Sequence, residues 1–241
     1  MNIVKHIPNT ITSMNLLCGV LGVISALNGD FDIAFCLMLS ASVFDFMDGF
    51  AARLLNAQSP IGKELDSLAD LVSFGLLPSV MLFKIMTMSG HPFFLTLVPL
   101  VVVVFSALRL AKFNISDDQS ENFIGLPTPA CAMIIGSFVY YISQVPDSFL
   151  LVWAKTAAFI PTGAVILSLL LVSNVPMFSM KIKKGAKKNS PVQKLRIGFI
   201  GAFFTCVVLV LLIGLNWSMI ILLTFVIYLI MNFASMLINR K

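Results

Sequence analysis

Long apolar stretches separated by short polar breaks run through the whole chain. A transmembrane helix needs about 20 apolar residues, and breaks at glycine, proline, asparagine and charge clusters divide the sequence into segments of that length. The pattern predicts about eight transmembrane helices, with no internal repeat and no separate soluble domain. The predicted spans cover residues 10–28, 33–55, 63–88, 93–113, 127–144, 148–173, 196–214 and 217–238.

The positions of the basic residues predict how these helices are oriented. Lysine and arginine accumulate on cytoplasmic loops. With the N-terminus inside, 14 of the 16 basic residues fall on the cytoplasmic side, and only Lys84 and Lys155 fall on the other. We therefore expect an all-α, polytopic transmembrane helical bundle with both termini in the cytoplasm. The cytoplasmic basic residues are Lys5, Arg53, Lys63, Arg109, Lys112, those of the run 181–196, Arg240 and Lys241.

Composition supports a membrane protein and argues against other classes. Apolar residues make up 59% of the chain and charged residues 11%, whereas soluble domains carry about 25% charged residues. The net charge of +5 follows from the cytoplasmic loops and does not require a nucleic-acid partner. The first apolar stretch has no small-residue cleavage site after it, so we expect it to be retained as a span.

Two further features have ordinary interpretations. The four cysteines lie in apolar segments without a Cys-x-x-Cys pair, which is typical of small hydrophobic residues in helices.

The basic run 181–188 is either a topology determinant in a solvated loop or a site of adhesion to anionic headgroups. The second interpretation contributes about 1 kcal/mol per basic residue near the surface, and the two are compatible.

One polar motif stands out in this apolar chain. It contains four aspartates, an arginine and three small residues at fixed spacing: Asp45, Asp48, Gly49, Ala52, Arg53, Gly62, Asp66 and Asp70. Ionisable groups at membrane depth are costly and indicate a functional site. The helical repeat places each half of the motif on one helix face, and Ser59-Pro60 favours a tight reversal between the halves. The four carboxylates are therefore expected to converge on one pocket.

Four carboxylates in one pocket repel each other unless protons or cations neutralise them. Oxygen ligands without histidine or cysteine favour Mg²⁺ or Mn²⁺, and we expect two such ions. Two ions can hold a pyrophosphate, Arg53 adds a bidentate phosphate donor, and Gly49 and Ala52 leave room for a nucleotide. The alternatives are a buried polar network or helix packing through small residues, and Gly62 could simply begin a span.

The motif resembles the signature of the CDP-alcohol phosphatidyltransferase family at all eight positions. This resemblance implies that Asp45, Asp48 and Asp66 bind one metal ion, and that Asp45, Asp66 and Asp70 bind a second. It also implies that Asp70 is the general base. The residues that would contact the CDP and pyrophosphate moiety are Gly49, Ala52, Arg53, Ser59, Gly62, Asn9 and Thr12.

Three other segments resemble the serine-using members of that family: residues 8–19, 109–114 and 123–130. Relatives that use glycerol phosphate commonly carry arginine where Asn15 stands. Each segment also has a structural interpretation: a helix-entry turn at Pro8, membrane anchors at Arg109 and Lys112, and a loop before the fifth span.

The resemblance implies an enzyme that transfers a phosphatidyl group from CDP-diacylglycerol to L-serine, acting as a homodimer. We expect one membrane-embedded domain over residues 1–241, with the catalytic core in 1–145 and additional spans in 146–241. The active site would face the cytoplasm, at the inner membrane if the source is bacterial. Candidates for the serine site are Asn15, Ser73, Arg109, Lys112, Asn114 and Thr128.

Other functions remain open on the sequence. The acceptor could be glycerol 3-phosphate, inositol phosphate or choline, and the donor could be an archaeal-type lipid. A membrane prenyltransferase also uses aspartates and Mg²⁺, but its two aspartate-rich segments lie far apart in the chain. An ion-coupled transporter would favour internal repeats and acidic residues near the midplane, whereas this cluster lies near one face.

Overall fold

Helices occupy most of the chain, as the hydropathy pattern predicts. The computed structural model describes residues 6–115, 122–178 and 191–238. Lys5, the basic run 181–188, Arg240 and Lys241 lie outside the described residues. Within those residues, six helices contain a stretch long and apolar enough to cross a membrane. They are α1 (Ile7–Asn28), α2 (Phe31–Leu54), α3 (Pro60–Met88), α4 (Phe93–Ile115), α8 (Pro191–Ile213) and α9 (Ser218–Ile238).

The segments predicted as the fifth and sixth spans form shorter helices. The fifth is α5 (Thr128–Gln144), and the sixth is divided into α6 (Phe149–Ala154) and α7 (Phe159–Leu171). Exposed Lys155 ends α6. Pro161 lies in the first turn of α7, where a missing backbone N–H does no harm. The predicted span 148–173 is therefore not one continuous helix.

Two short strands add to the expected all-α architecture. Strand β1 (Asn122–Ile124) lies between α4 and α5, and β2 (Pro176–Phe178) follows α7. They pair antiparallel, with Asn122 opposite Phe178 and Ile124 opposite Pro176. The pairing joins the connection before α5 to the connection after α7.

Helix α1 buries a narrow stripe of small and polar residues. The stripe recurs at intervals of four and three, which keeps it on one helix face: Pro8, Thr12, Asn15, Gly19, Gly22 and Ala26. A Cβ atom at Gly19 would lie 3.0 Å from the Cα of Ser73 on α3. Small residues allow such close approach between helices in membranes, and α1 packs along both α2 and α3.

Helix α3 changes its hydrogen-bonding pattern in the middle. Ser59 caps its start by accepting a hydrogen bond from the Gly62 N–H at 3.1 Å, with Pro60 in the first turn. The helix is regular over Pro60–Asp70, π-helical over Leu71–Leu76 and regular again over Leu77–Met88. A π segment inserted in an α-helix frequently marks a functional site, and this one begins directly after Asp70.

The core of the molecule surrounds α5. This helix is buried along most of its length and packs against α2, the end of α3 and α9. A helix that is apolar all round belongs in such a position. The outer helices expose large apolar side chains, including Phe46 at 70% and Leu212 at 78%. Those surfaces match a lipid environment.

Candidate functional site

Three carboxylates of the sequence motif lie together between α2 and α3. Asp45 and Asp48 come from α2 and Asp66 from α3, and one oxygen from each lies within 4.8 Å of the others. Asp48 is buried, and Asp45 and Asp66 are half-buried. The helical spacing of the motif predicts this convergence, and the structure has it.

The two halves of the motif meet by a different route from the one expected. The sequence suggests that α2 and α3 face each other directly as an antiparallel pair. Instead, both pack principally against α1, which adds its own polar side chains to the cluster. Thr12 lies beside the Asp48 carboxyl group. The site is therefore built from three helices.

Asp70 lies one turn beyond Asp66 on α3 and is buried. Its Oδ1 accepts a hydrogen bond from Asn15 Nδ2 at 3.4 Å. Its charge interacts with those of Asp45, Asp66 and Asp48. Asp70 thus borders the group of three carboxylates and is separately held by α1.

Several buried oxygen atoms in this cluster have no hydrogen-bond partner within the described residues: Asp48 Oδ2, Asp66 Oδ1 and Asn15 Oδ1. Buried polar atoms are normally paired, and each unpaired one costs about 1–3 kcal/mol. Hard divalent cations take carboxylate oxygens as ligands. Clustered, unpaired carboxylate oxygens fit a divalent cation and explain why these acidic side chains can lie so close together.

The residues predicted to contact the nucleotide fall into two places. At the end of α2, Gly49 has open space where a Cβ would stand, Ala52 is half-buried and Arg53 is exposed. These three leave an accessible strip beside the carboxylates. At the start of α3, a Cβ at Gly62 would lie 3.0 Å from both Asn9 Oδ1 and Ser59 Oγ. Gly62 therefore allows α1 and α3 to approach at this end.

The residues predicted to bind the acceptor also lie in more than one place. Arg109 Nη1 donates to Thr128 Oγ1 at 2.8 Å, while the buried Arg109 Nε has no partner within the described residues. The Arg109 charge interacts with that of Asp70. Together with Asn15, these side chains form a polar region next to Asp70.

The other three acceptor candidates are placed differently. Ser73 is buried and donates its hydroxyl to the backbone oxygen of Asn15 at 3.0 Å. Lys112 is exposed at the end of α4. Asn114 Nδ2 donates to Ser67 Oγ at 3.0 Å and to Glu64 Oε2 at 3.3 Å. Asn114 therefore links α4 to α3.

Two features of the site are not predicted by the motif. The first is the buried stripe of α1, whose recurrence at intervals of four and three is visible in the sequence. The second is Tyr228 on α9, the helix that packs along α5 and its Thr128. Tyr228 lies in an apolar span more than 100 residues from Arg109, and no local pattern distinguishes it.

Several known proteins are similar in sequence to this chain. The CDP-alcohol phosphatidyltransferase family model matches residues 5–167. The CDP-diacylglycerol–serine O-phosphatidyltransferase of Bacillus subtilis (strain 168) is 41% identical over 138 residues, covering 56% of this chain and 77% of that protein. The enzyme of that name from Helicobacter pylori (strain ATCC 700392 / 26695) is 33% identical over 172 residues, or 70% of each chain.

An archaeal protein is also similar. The archaetidylserine synthase of Methanothermobacter thermautotrophicus is 31% identical over 150 residues, covering 61% of this chain and 64% of that protein. The names of all three relatives include serine, whereas the lipid part of the name differs between the bacterial proteins and the archaeal one.

Proposed function

The chain belongs to the CDP-alcohol phosphatidyltransferase family, and we propose that it transfers the phosphatidyl group of CDP-diacylglycerol to the hydroxyl of L-serine. The products are phosphatidylserine and CMP. The observation that carries this proposal is the group of carboxylate oxygens from Asp45, Asp48 and Asp66 within 4.8 Å of one another. Such a group suits a reaction on a negatively charged pyrophosphate.

The proposed cofactor is two divalent cations, Mg²⁺ or Mn²⁺. Asp45, Asp48 and Asp66 would hold the first ion, and Asp45, Asp66 and Asp70 the second. Bound cations would neutralise the carboxylates and offset negative charge on the pyrophosphate and the leaving group. Two buried oxygens that have no hydrogen-bond partner in the described ranges, Asp48 Oδ2 and Asp66 Oδ1, support this assignment.

The donor lipid lies with its acyl chains in the bilayer and its CDP group at the open strip of α2. Gly49 and Ala52 provide space there, and the exposed Arg53 donates hydrogen bonds to phosphate oxygens. Asn9, Thr12, Ser59 and Gly62 define the other side of the nucleotide pocket. Phosphoryl transfer depends mostly on positioning and charge neutralisation, and these residues supply the positioning.

Asp70 is the general base. The serine oxygen attacks the lipid-side phosphorus, the bond from that phosphorus to the CMP oxygen breaks, and the hydroxyl proton passes to Asp70. Asn15 Nδ2 holds Oδ1 of this carboxylate, which leaves Oδ2 to receive the proton. A carboxylate is a weak base for an alcohol, so the proton moves late, once the leaving-group bond has lengthened.

Serine is a zwitterion and requires a cation and an acceptor. Arg109 is oriented by Thr128, its Nε has no partner among the described residues, and it binds the carboxylate. The buried Asn15 Oδ1, which also has no partner in the described part of the chain, accepts from the ammonium group. Ser73 supports Asn15 through its backbone oxygen, while Lys112 and Asn114 lie at the outer end of the pocket.

The protein works as a homodimer in the membrane with about eight spans and both termini cytoplasmic. In this orientation the C-terminal end of α2 and the start of α3 face the cytoplasm, where soluble serine enters and CMP leaves. In a bacterium this membrane is the inner membrane.

A panel of acceptors tests the proposed reaction. Purified protein in lipid nanodiscs receives CDP-diacylglycerol, Mg²⁺ or Mn²⁺, and isotopically labelled serine, glycerol 3-phosphate, inositol phosphate or choline. We expect labelled lipid only from serine, with one CMP released per lipid formed. Label incorporated only from another alcohol would assign a different member of the family, and ion flux without CMP release would favour a transporter.

A further inference from the structure

The last two helices lie beyond the part of the chain that matches the family, residues 5–167. Helix α9 nevertheless packs along α5, which carries Thr128, and α8 packs against α9 and β2. The question is what this added pair of helices does at the site.

Two polar side chains of α9 bind the backbone of strand β2. The Phe178 N–H donates to Asn232 Oδ1 at 2.8 Å, and the Tyr228 hydroxyl donates to the Phe178 carbonyl oxygen at 3.1 Å. Asn232 Nδ2 in turn donates to the Tyr228 carbonyl oxygen at 2.7 Å. All three residues are buried. Both backbone polar groups of Phe178 are therefore held by one helix.

Aromatic packing reinforces these hydrogen bonds. The Phe178 ring lies 5.0 Å from the Tyr228 ring and 5.8 Å from the Phe199 ring of α8, in edge-to-face geometry. The Phe199 and Tyr228 rings are 5.7 Å apart. Such pairs are favourable by about 0.5–1.5 kcal/mol beyond their buried area. We call Phe178, Phe199, Tyr228 and Asn232 the C-terminal clamp.

The clamp is continuous with the acceptor side of the pocket. Strand β2 pairs with β1, and the chain after β1 is fixed by hydrogen bonds from Gly125 N to Val175 O and from Leu126 N to Leu170 O, each 2.9 Å. Gly125 has a φ of +77°, and a Cβ there would meet the Leu171 carbonyl oxygen. Directly after this turn, α5 begins at Thr128, the residue that accepts from Arg109.

We propose that the C-terminal clamp positions Arg109 and Thr128 for the acceptor substrate, so that α8 and α9 complete the serine site that the family core begins. A two-stranded pair is marginally stable by itself, and the α9 side chains give it a fixed place. Tyr228 acts through its hydroxyl, which holds the Phe178 carbonyl oxygen. These are positioning residues, and the proposal rests on serine being the acceptor.

The test compares two variants that remove the same group. Tyr228→Phe deletes the hydroxyl that binds Phe178, whereas Tyr140→Phe deletes a hydroxyl of α5 with no hydrogen bond within the described residues. We expect Tyr228→Phe to raise the KM for serine about fivefold, as the loss of one hydrogen bond permits. Its kcat and its KM for CDP-diacylglycerol should stay within about twofold of wild type. Tyr140→Phe should match wild type in all three constants.

Hydrogen exchange supplies a readout that does not depend on activity. In Asn232→Leu, the amides of Phe178, Gly125 and Leu126 should exchange faster than in wild type, while those of α1 stay protected. Unchanged exchange at Phe178 would overturn the clamp itself. Faster exchange with an unchanged serine KM in both α9 variants would overturn its role at the site. If wild type fails to use serine while the exchange result holds, the proposed acceptor fails and the clamp stands.

Discussion

Asp70 occupies a different environment from the other three aspartates at the scale of single residues. Asp45, Asp48 and Asp66 share a compact group of oxygens, whereas Asp70 is held by the Asn15 amide and lies near Arg109. In the proposed mechanism Asp70 is a ligand of the second ion and also the group that receives the proton. The family resemblance assigns Asp70 this second role, and the packed structure adds its contact with Asn15.

Replacing Asp70 by asparagine tests its proposed role as general base. Asp70→Asn keeps the size of the side chain and the contact with α1 but cannot accept a proton. We expect donor binding to persist and kcat to fall by about 10²–10⁴-fold, measured as CMP release at saturating serine. Asp32→Asn is the control, because Asp32 lies at the opposite end of α2 and accepts from Gln144. Full activity in Asp70→Asn would refute the base role.

At the scale of helices, the stripe on α1 determines how the cluster is assembled. Its small residues let α1 lie against both α2 and the π segment of α3, and its polar residues reach Asp48 and Asp70. Without this helix the two halves of the motif would lack their common surface. We therefore expect that a larger side chain on this stripe of α1 disturbs the carboxylate cluster without contacting it.

Adding a single methyl group at Gly19 tests how tightly α1 packs against α3. Gly19→Ala forces the new Cβ against Ser73, including its backbone, and overpacking of this kind costs about 1–3 kcal/mol. We expect a lower thermal unfolding temperature in detergent together with reduced transfer activity. Gly201→Ala on α8 is the matched control, since among the described residues no atom beyond its own stretch of helix lies within 4 Å of its added Cβ. Equal unfolding temperatures for the two variants would show that α1 is not tightly packed there.

The helices themselves were largely predictable, and their details were not. Hydropathy predicts α1 to α4 and α8 to α9 within a few residues, because length and apolar composition decide whether a segment can span a bilayer. It cannot predict the break after Ala154 or the π segment at Leu71, since both depend on neighbouring helices. The strand pair also escapes prediction, because β1 and β2 are three residues each.

For the site, too, the local sequence pattern predicts one part of the arrangement, and tertiary packing determines the rest. The spacing of the motif predicts that Asp45, Asp48 and Asp66 converge. It does not predict that Asn114 bonds to Glu64 and Ser67, or that Tyr228 bonds to the Phe178 carbonyl oxygen. These contacts join residues about 50 positions apart in the chain, beyond the reach of helical periodicity.

At the scale of the whole molecule, the orientation in the membrane determines which substrates reach the site. The distribution of basic residues predicts that the end of α2 and the start of α3 lie in the cytoplasm. Single cysteines in a protein whose four native cysteines are replaced can report this. We expect Gln58→Cys, before α3, to react with an impermeant thiol reagent only from the cytoplasmic side, and Met88→Cys, at the far end of α3, only from the other. The reverse pattern would invert the topology.

The most direct test of the carboxylate cluster counts bound Mn²⁺ by electron paramagnetic resonance in nanodiscs that contain the donor lipid. Wild type should bind about two ions per chain and release CMP when serine is added. The double variant Asp48→Asn, Asp66→Asn should lose saturable Mn²⁺ binding and CMP release together, while Asp32→Asn keeps both. Undiminished Mn²⁺ binding in the double variant, or CMP release from wild type stripped of divalent ions, would contradict a metal-dependent reaction at this cluster.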